Sequence, residues 1–262
     1  MDMENNEIFT IVEDEVQKMS FIQRLVSLFT APVKLMQNIK YYPKIAAALL
    51  LCMGLSLLTL PFVSKITEIT TNMMSEIMLI RYGQDFISFM ESTQAAANNP
   101  QLSAITTAST TLVLLLSYPL MCVIKTLILF IITKIAKGMA TFKQYASMYA
   151  HILLIAVLGS IITTSIMAAM GTLLDVSSLA AVFMPSGNFS MIPYNLLASI
   201  SLFTVLEIIL AGIGVKEING FTNRKAIIVV SIIFILSVAF TTIMAGSSVY
   251  MMDLSYKALG YQ

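Results

Sequence analysis

Tryptophan is absent from this 262-residue sequence, histidine occurs once, cysteine twice, and charged residues make up only 11% of the chain. Each shortage excludes something. With His151 alone, no pair of imidazoles can hold a zinc ion. Cys52 and Cys122 both fall inside apolar runs, where a thiol serves as a small packing group rather than half of a disulfide or a metal ligand. Without tryptophan, an aromatic belt at a membrane–water boundary must be built from tyrosine. Tyr41, Tyr42, Tyr145, Tyr149, Tyr194 and Tyr250 stand near the ends of apolar runs and are its candidates. A net charge of +1, with no basic run interleaved with aromatics, argues against a nucleic-acid partner. Enzyme signatures are missing too. No glycine-rich phosphate loop follows a strand, no Gly-x-Ser-x-Gly elbow occurs, and no two apolar runs each carry a central Asp. The sequence therefore reads as non-enzymatic, with no catalytic, cofactor-binding or metal-ligating residues.

What is present in excess is apolar. Hydrophobic residues make up 58% of the chain, against roughly 45–50% in a soluble domain, and the mean hydropathy is +0.86. One soluble core could not hide that much apolar surface. Crossing a hydrocarbon layer of about 30 Å takes about 20 apolar residues at about 1.5 Å rise each. Five stretches qualify, near residues 45–63, 112–133, 147–170, 195–215 and 226–246. In lipid a span must satisfy its own backbone, so each is expected to be a helix. The fold class is thus all-α, an integral membrane bundle of five transmembrane helices.

Basic residues set the expected orientation. Lys18, Arg24, Lys34, Lys40 and Lys44 precede the first span. Lys134, Lys137 and Lys143 separate the second from the third, and Lys216, Arg224 and Lys225 the fourth from the fifth. The other side holds only Lys65, Arg81 and Lys257. The positive-inside rule places the N-terminus in the cytoplasm and the C-terminus outside, in the plasma membrane. The acidic opening MDMENNEIFTIVEDE has no secretory n- or h-region, so the first apolar run would act as an uncleaved signal-anchor. Three parts result: an N-terminal cytoplasmic segment (1–44), a membrane domain (45–250) and an outer tail (251–262).

Two segments outside the spans have helical character. Residues 19–29 carry Ile22, Leu25, Val26 and Phe29 on one stripe, and Pro32 suits the first turn of a second short helix. These are either interfacial helices on the inner leaflet or helices packed against the ends of the bundle. The long outer loop, 64–111, carries Ile66, Ile69, Met73, Ile77 and Ile80 on one stripe, with Lys65, Glu68, Asn72 and Glu76 polar. It would either extend the first span or dock on the outer face, and its stripe is a candidate partner-docking surface. The stretch ESTQAAANNPQLS reads as a polar return.

Lys125 and Glu207 are the most informative residues. Charges are rare in spans because hydrocarbon disfavours them. Both fall at similar depth in the inner half of their spans. The expectation is an intramembrane ion pair that fixes bundle register. Snorkelling of Lys125 to the interface and a role in transport or signalling are the alternatives. A weak internal repeat accompanies them: Lys125, Gly138 and Lys143 recur as Glu207, Gly220 and Lys225 at one constant offset. His151, near the start of the third span, is either an interfacial hydrogen-bonding residue or a proton-sensitive switch. Gly54, Ser56, Gly212, Gly214, Ala245, Gly246, Ser247 and Ser248 mark places where helices could approach closely. The 19 methionines are spread over spans and loops and read as adaptable packing.

The order of these features resembles the Yip domain family (Ypt/Rab-interacting protein type), in its bacterial, YknW-like branch. FIQRLVSLFTAPVKLMQNIKYYPKIAAALLL is similar to the family's opening: an amphipathic segment, a Pro, and a Pro-Lys lead into the first span. IAKGMATFKQYASMYAHILL resembles its Gly-containing turn and Phe-Lys-Gln opening of the third span. ISLFTVLEIILAGIGVKEINGFTNRKAIIVV resembles its fourth span, Gly-rich exit and Lys-Ala re-entry. The resemblance implies five helices, a cytoplasmic N-terminus and no catalytic residues. It also implies an accessory protein associated with a MacB-like ABC transporter and a membrane-fusion-type subunit. The acidic Leu-Tyr-Gly-Pro signature of eukaryotic members is missing, so a Rab-type GTPase partner is not implied. A small autonomous transporter or channel and a membrane-shaping protein are the rival functions. Membrane lipids are partners in every case, and a homo-oligomer is compatible with all of them.

Overall fold

Ser20 shows how closely local chemistry sets the start of a helix. Its hydroxyl accepts from the Gln23 amide (3.3 Å) while Gln23 Oε1 accepts from the Ser20 amide (2.7 Å), a reciprocal capping box. That box opens helix α1, Phe21–Thr30. Pro32 cannot donate and sits where no donor is needed, at the first turn of α2, Pro32–Tyr41. The computed structural model describes residues 17–82, 100–183 and 192–258. Its further helices are α3 (Ala46–Ser56), α4 (Leu60–Tyr82), α5 (Pro100–Ile135), α6 (Phe142–Met170), α7 (Leu179–Phe183), α8 (Ile192–Ala198), α9 (Leu202–Asn219) and α10 (Asn223–Ala258). Among the described residues there is no strand, only an isolated antiparallel bridge between Ser178 and Ser201.

Four helical stretches are long and apolar enough to cross a membrane: Ala46–Met73, Ala104–Ile135, Phe142–Met170 and Asn223–Ile243. The first passes through a 3-10 turn at Leu57–Thr59, where the Thr59 hydroxyl donates to the Ser56 carbonyl (2.7 Å). The segment after residue 63 therefore continues the first span as helix, to Tyr82. The fourth expected span, over residues 195–215, differs. It is two helices, α8 and α9, interrupted at residues 199–201. The cause is a competing set of backbone bonds: Leu202 donates to the Ser177 carbonyl and Leu179 to the Ile200 carbonyl, both at 3.0 Å. α9 has 18 residues, barely enough to cross, and it carries Glu207, Lys216 and Glu217. α10 runs on to Ala258, so the segment read as an outer tail from residue 251 begins as helix.

The described chain forms two compact units. The first comprises Met1–Met53, Tyr118–Ala156 and Val205–Ile235; the second comprises Gly54–Ser117, Val157–Thr204 and Leu236–Gln262. In the first unit, α6 is the central post, because every residue from Tyr145 to Ile155 is buried. A helix that is apolar on all sides belongs in a core. Leu28, Leu35, Met36 and Ile39 of α1 and α2 are buried in the same unit. Gln144 donates to the Lys40 carbonyl (2.6 Å), and Ser147 exchanges bonds with both backbone groups of Lys44. The N-terminal helices are thus fastened to the bundle through one face, while Ile22, Val26 and Phe29 on another remain exposed. The alternative of helices packed against the bundle thus describes the buried face.

In the second unit, the hydroxyls of Ser56 (3.3 Å) and Ser117 (2.9 Å) both donate to the Leu114 carbonyl. Gly159 packs against Phe203, where an added Cβ would lie 2.5 Å from the ring.

Several tyrosines lie elsewhere than a belt. Tyr145, Tyr149 and Tyr194 are buried core residues, Tyr41 and Tyr42 are half-buried, and the side chain of Tyr250 lies outside the described residues. A phenol hydroxyl can enter a core when a partner waits there. Tyr145 donates to Asn219 Oδ1 (3.0 Å). The small residues also divide. An added Cβ at Gly214 would collide with Met148 and approach Met36 Sδ (3.1 Å), whereas nothing lies within 4 Å of one at Gly54 or Gly212.

Candidate functional site

The two charges singled out in the spans meet. Lys125 of α5 donates from Nζ to Glu207 Oε2 of α9 at 2.5 Å, with side-chain exposures of 23% and 15%. An isolated charge in hydrocarbon is strongly disfavoured, and mutual contact offsets part of that cost. Bringing the pair together requires α5 and α9 to end at matching levels. Two turns within the first unit provide that.

After α5, Lys137 takes a left-handed conformation (φ 58°), and the Gly138 amide reaches back to the Thr133 carbonyl (2.7 Å). After α9, Gly220 is left-handed (φ 66°), and the Phe221 amide reaches the Lys216 carbonyl (3.1 Å). Both are Schellman-type closures. The repeated glycines therefore play different parts. Gly220 supplies the left-handed residue, whereas Gly138 follows it and is small for a second reason. A Cβ there would sit 2.7 Å from Asn219 Oδ1 and 3.0 Å from the Thr133 carbonyl oxygen.

Asn219 ties the turns together. Its Oδ1 accepts from the Ala140 amide (3.2 Å) and the Tyr145 hydroxyl (3.0 Å), while its Nδ2 donates to the Val215 carbonyl (2.8 Å). A second box then opens α6. Thr141 and Gln144 bond reciprocally, at 2.7 and 3.3 Å. Thr222 begins α10 by accepting from the Lys225 amide (3.4 Å). Sequence reasoning did not single out Asn219. Its only local signal is an amide residue just before a glycine at a helix end, common at helix C-termini.

His151 is buried rather than interfacial (1% exposed). Its Nδ1 lies 2.7 Å from the Ser147 carbonyl. A carbonyl only accepts, so Nδ1 carries the proton and Nε2 presents a lone pair. Arg24, also missed from sequence, is equally buried. Its Nη2 donates to the Tyr42 carbonyl (2.5 Å), and its Nε and Nη1 have no partner among the described residues. Burial pulls the guanidinium below its ordinary pKa. Cys52 and Cys122 are free, buried thiols directed at the Ala150 (3.8 Å) and Ala146 (3.5 Å) carbonyls of α6, one helical turn apart.

Among the described residues, no cluster of three His, Cys, Asp or Glu could hold a metal ion. Of the outer stripe, Ile66, Ile69 and Met73 are half-buried on α4, while Lys65, Glu68, Asn72 and Glu76 are exposed. The side chains of Ile77 and Ile80 lie outside the described residues. So do residues 83–99, which include most of the expected polar return.

Long apolar helices tied by a charged pair between two of them define a multi-pass membrane protein. The Yip1 domain matches residues 26–244, from within α1 to within α10, and the chain belongs to that family. No curated protein and no solved structure matches it.

Proposed function

We propose that this protein is a non-enzymatic accessory subunit of a membrane transport complex, in the YknW-like branch of its family. The observation that carries this reading is the Lys125–Glu207 contact. The two intramembrane charges are spent on each other, so they serve as a register lock between helices. Function then falls to the helix faces that the chain leaves uncovered. Leu116, Leu120, Val123, Leu127 and Ile131 of α5 are all exposed in the isolated chain, an apolar surface suited to lipid and to partner helices alike.

In this proposal α8 and α9 together make the fourth crossing in chain order, which brings the total to five. The N-terminus is cytoplasmic and the C-terminus extracellular, as the lysine distribution favours, and the membrane is the plasma membrane. The partners are a MacB-like ABC transporter and its membrane-fusion-type subunit, contacted through span faces and the Ile66–Ile69–Met73 side of α4. Binding one conformation of the complex better than another would shift its balance. Affinity purification of the tagged chain in mild detergent tests this. Recovery of transporter subunits in fixed ratio is the expected result; recovery of the chain alone, monodisperse, would refute it.

A second reading, a small autonomous transporter, has the same pair in its favour, since paired charges also line ion pathways. Flux in liposomes that vanishes in Glu207→Gln would establish it in place of the first. A membrane-shaping role draws on the exposed stripe of α1. Unchanged vesicle morphology after removing residues before Lys40 would dismiss it.

A further inference from the structure

The N-terminal helices carry a surface that the accessory reading does not use. α1 has two working faces. Arg24 and Leu28 point into the first unit and are buried, so the helix cannot roll. That orientation leaves Ile22, Val26 and Phe29 turned outward at 72%, 55% and 60% exposure. These are positions i, i+4 and i+7 of one stripe.

Among the described residues at this end of the unit, the exposed charge is mostly basic. The helix ends of the first unit are cross-linked through Gln144–Lys40, Ser147–Lys44, Gln37–Glu217 and Asn219–Ala140. Lys44, Lys143 and Arg224 therefore lie at the same end of that unit, beside α2 and its Lys34. All four are exposed. Only two described carboxylates belong to the unit, and both are engaged. Glu207 is paired with Lys125, and Glu217 accepts from Gln37 (3.0 Å) and lies 3.7 Å from Lys216.

We propose that this end of the unit is a binding surface for anionic phospholipid headgroups. The α1 stripe is inserted at the boundary between headgroups and acyl chains, and the surrounding lysines and arginine meet the phosphates. The combination identifies the occupant. A basic surface alone would suit any polyanion, whereas a row of large aliphatic and aromatic side chains set among cations fits a charged lipid interface. The proposal does not depend on which membrane partner the spans contact.

The test uses the full chain in nanodiscs of phosphatidylcholine, with and without phosphatidylglycerol. A bimane label on Val26→Cys reports its environment, because the native thiols are buried and are expected to stay unlabelled in the folded protein. The expected result is a label shielded from iodide and quenched by brominated acyl chains, with both effects larger when phosphatidylglycerol is present. Native mass spectrometry should show phosphatidylglycerol retained over phosphatidylcholine. Each charge removed in Lys34→Gln, Lys44→Gln, Lys143→Gln and Arg224→Gln should lower that retention about fivefold at low salt. These four side chains make no hydrogen bond among the described residues, and continued protection of Cys52 and Cys122 from thiol reagent verifies folding. Equal retention of the two lipids, or a label open to iodide in both discs, overturns the proposal.

The acidic residues Glu13, Asp14 and Glu15 precede the described chain and are the competing occupant. If lipid selectivity emerges only after Glu13→Gln, Asp14→Asn and Glu15→Gln are introduced, the surface belongs to the chain's own N-terminus and the lipid assignment fails.

Discussion

Replacing Lys125 and Glu207 with methionine, singly and together, measures what their contact contributes. Methionine keeps most of the length of each side chain and removes its charge. Both groups are about four-fifths covered, so solvent screening is weak and the cost of orphaning either charge is close to that of a buried pair, about 3–5 kcal/mol. The two single variants should differ. Orphaned Lys125 can extend its stem toward water, which places Glu207→Met near the bottom of that range or slightly below, about 2–3 kcal/mol. The shorter Glu207 has no such escape, so Lys125→Met should cost about 3–4 kcal/mol. The double variant leaves no charge to solvate. Apolar replacement of a buried pair is often neutral, so its cost should stay under about 2 kcal/mol.

The coupling expected from this cycle is at least about 3 kcal/mol, at or above the upper end for residues in contact. The structure supplies its own assay. Cys52 and Cys122 are 0% and 2% exposed, so a thiol-reactive fluorophore labels them only as the bundle opens. Labelling across a denaturant or temperature series gives the stability of each variant in one detergent. Additive losses in the single variants, with no recovery in the double, would refute the argument that the two charges stabilise each other.

Gly138→Ala should destabilise by about 1–3 kcal/mol through overpacking, whereas Gly212→Ala, with open space around it, should be neutral or gain up to about 1 kcal/mol of helix propensity; the same thiol assay checks both. Asn219→Leu leaves the Ala140 amide unpaired in the core and removes one partner of the Tyr145 hydroxyl, and should cost about 1–3 kcal/mol. Retained stability there, measured by thermal unfolding, would remove the asparagine from its place as the tie between turns. Arg24→Met exchanges a poorly satisfied buried guanidinium for an apolar side chain and should leave stability unchanged or raise it by about 1–2 kcal/mol. A large loss would show that the Tyr42 carbonyl bond outweighs the desolvation of the rest of the group.

Much of the helical order was legible locally. Ser20-x-x-Gln23 and Thr141-x-x-Gln144 are capping boxes, and each opens a helix. Pro32 stands at a first turn as its missing donor requires. The interruption at residues 199–201 was not legible, because it depends on partners some twenty residues earlier. Leu202 and Leu179 take their bonds across the Ser178–Ser201 bridge, and no window centred on the helix contains that competition. The part assigned to the tyrosines differed for a related reason. A tyrosine near a span end has the same local context whether it faces headgroups or a core, and only the neighbour decides. For Tyr145 that neighbour is Asn219.

By itself the sequence determined the class of protein. Sustained apolar runs and scarce charge leave helices in lipid as the stable form for this chain, since hydropathy sums along the chain and needs no knowledge of neighbours. It also determined which charges were costly enough to need an explanation. Only the tertiary structure decided which faces turn inward. In lipid, a core-facing and a lipid-facing residue are both apolar, so the periodic signal that orients a helix in water is lost. Hence α6 became the buried post, Arg24 entered a core while Ile22, Val26 and Phe29 stayed outside, and Gly138 gave way to the amide of Asn219. Contacts between segments far apart in the chain made each of those choices.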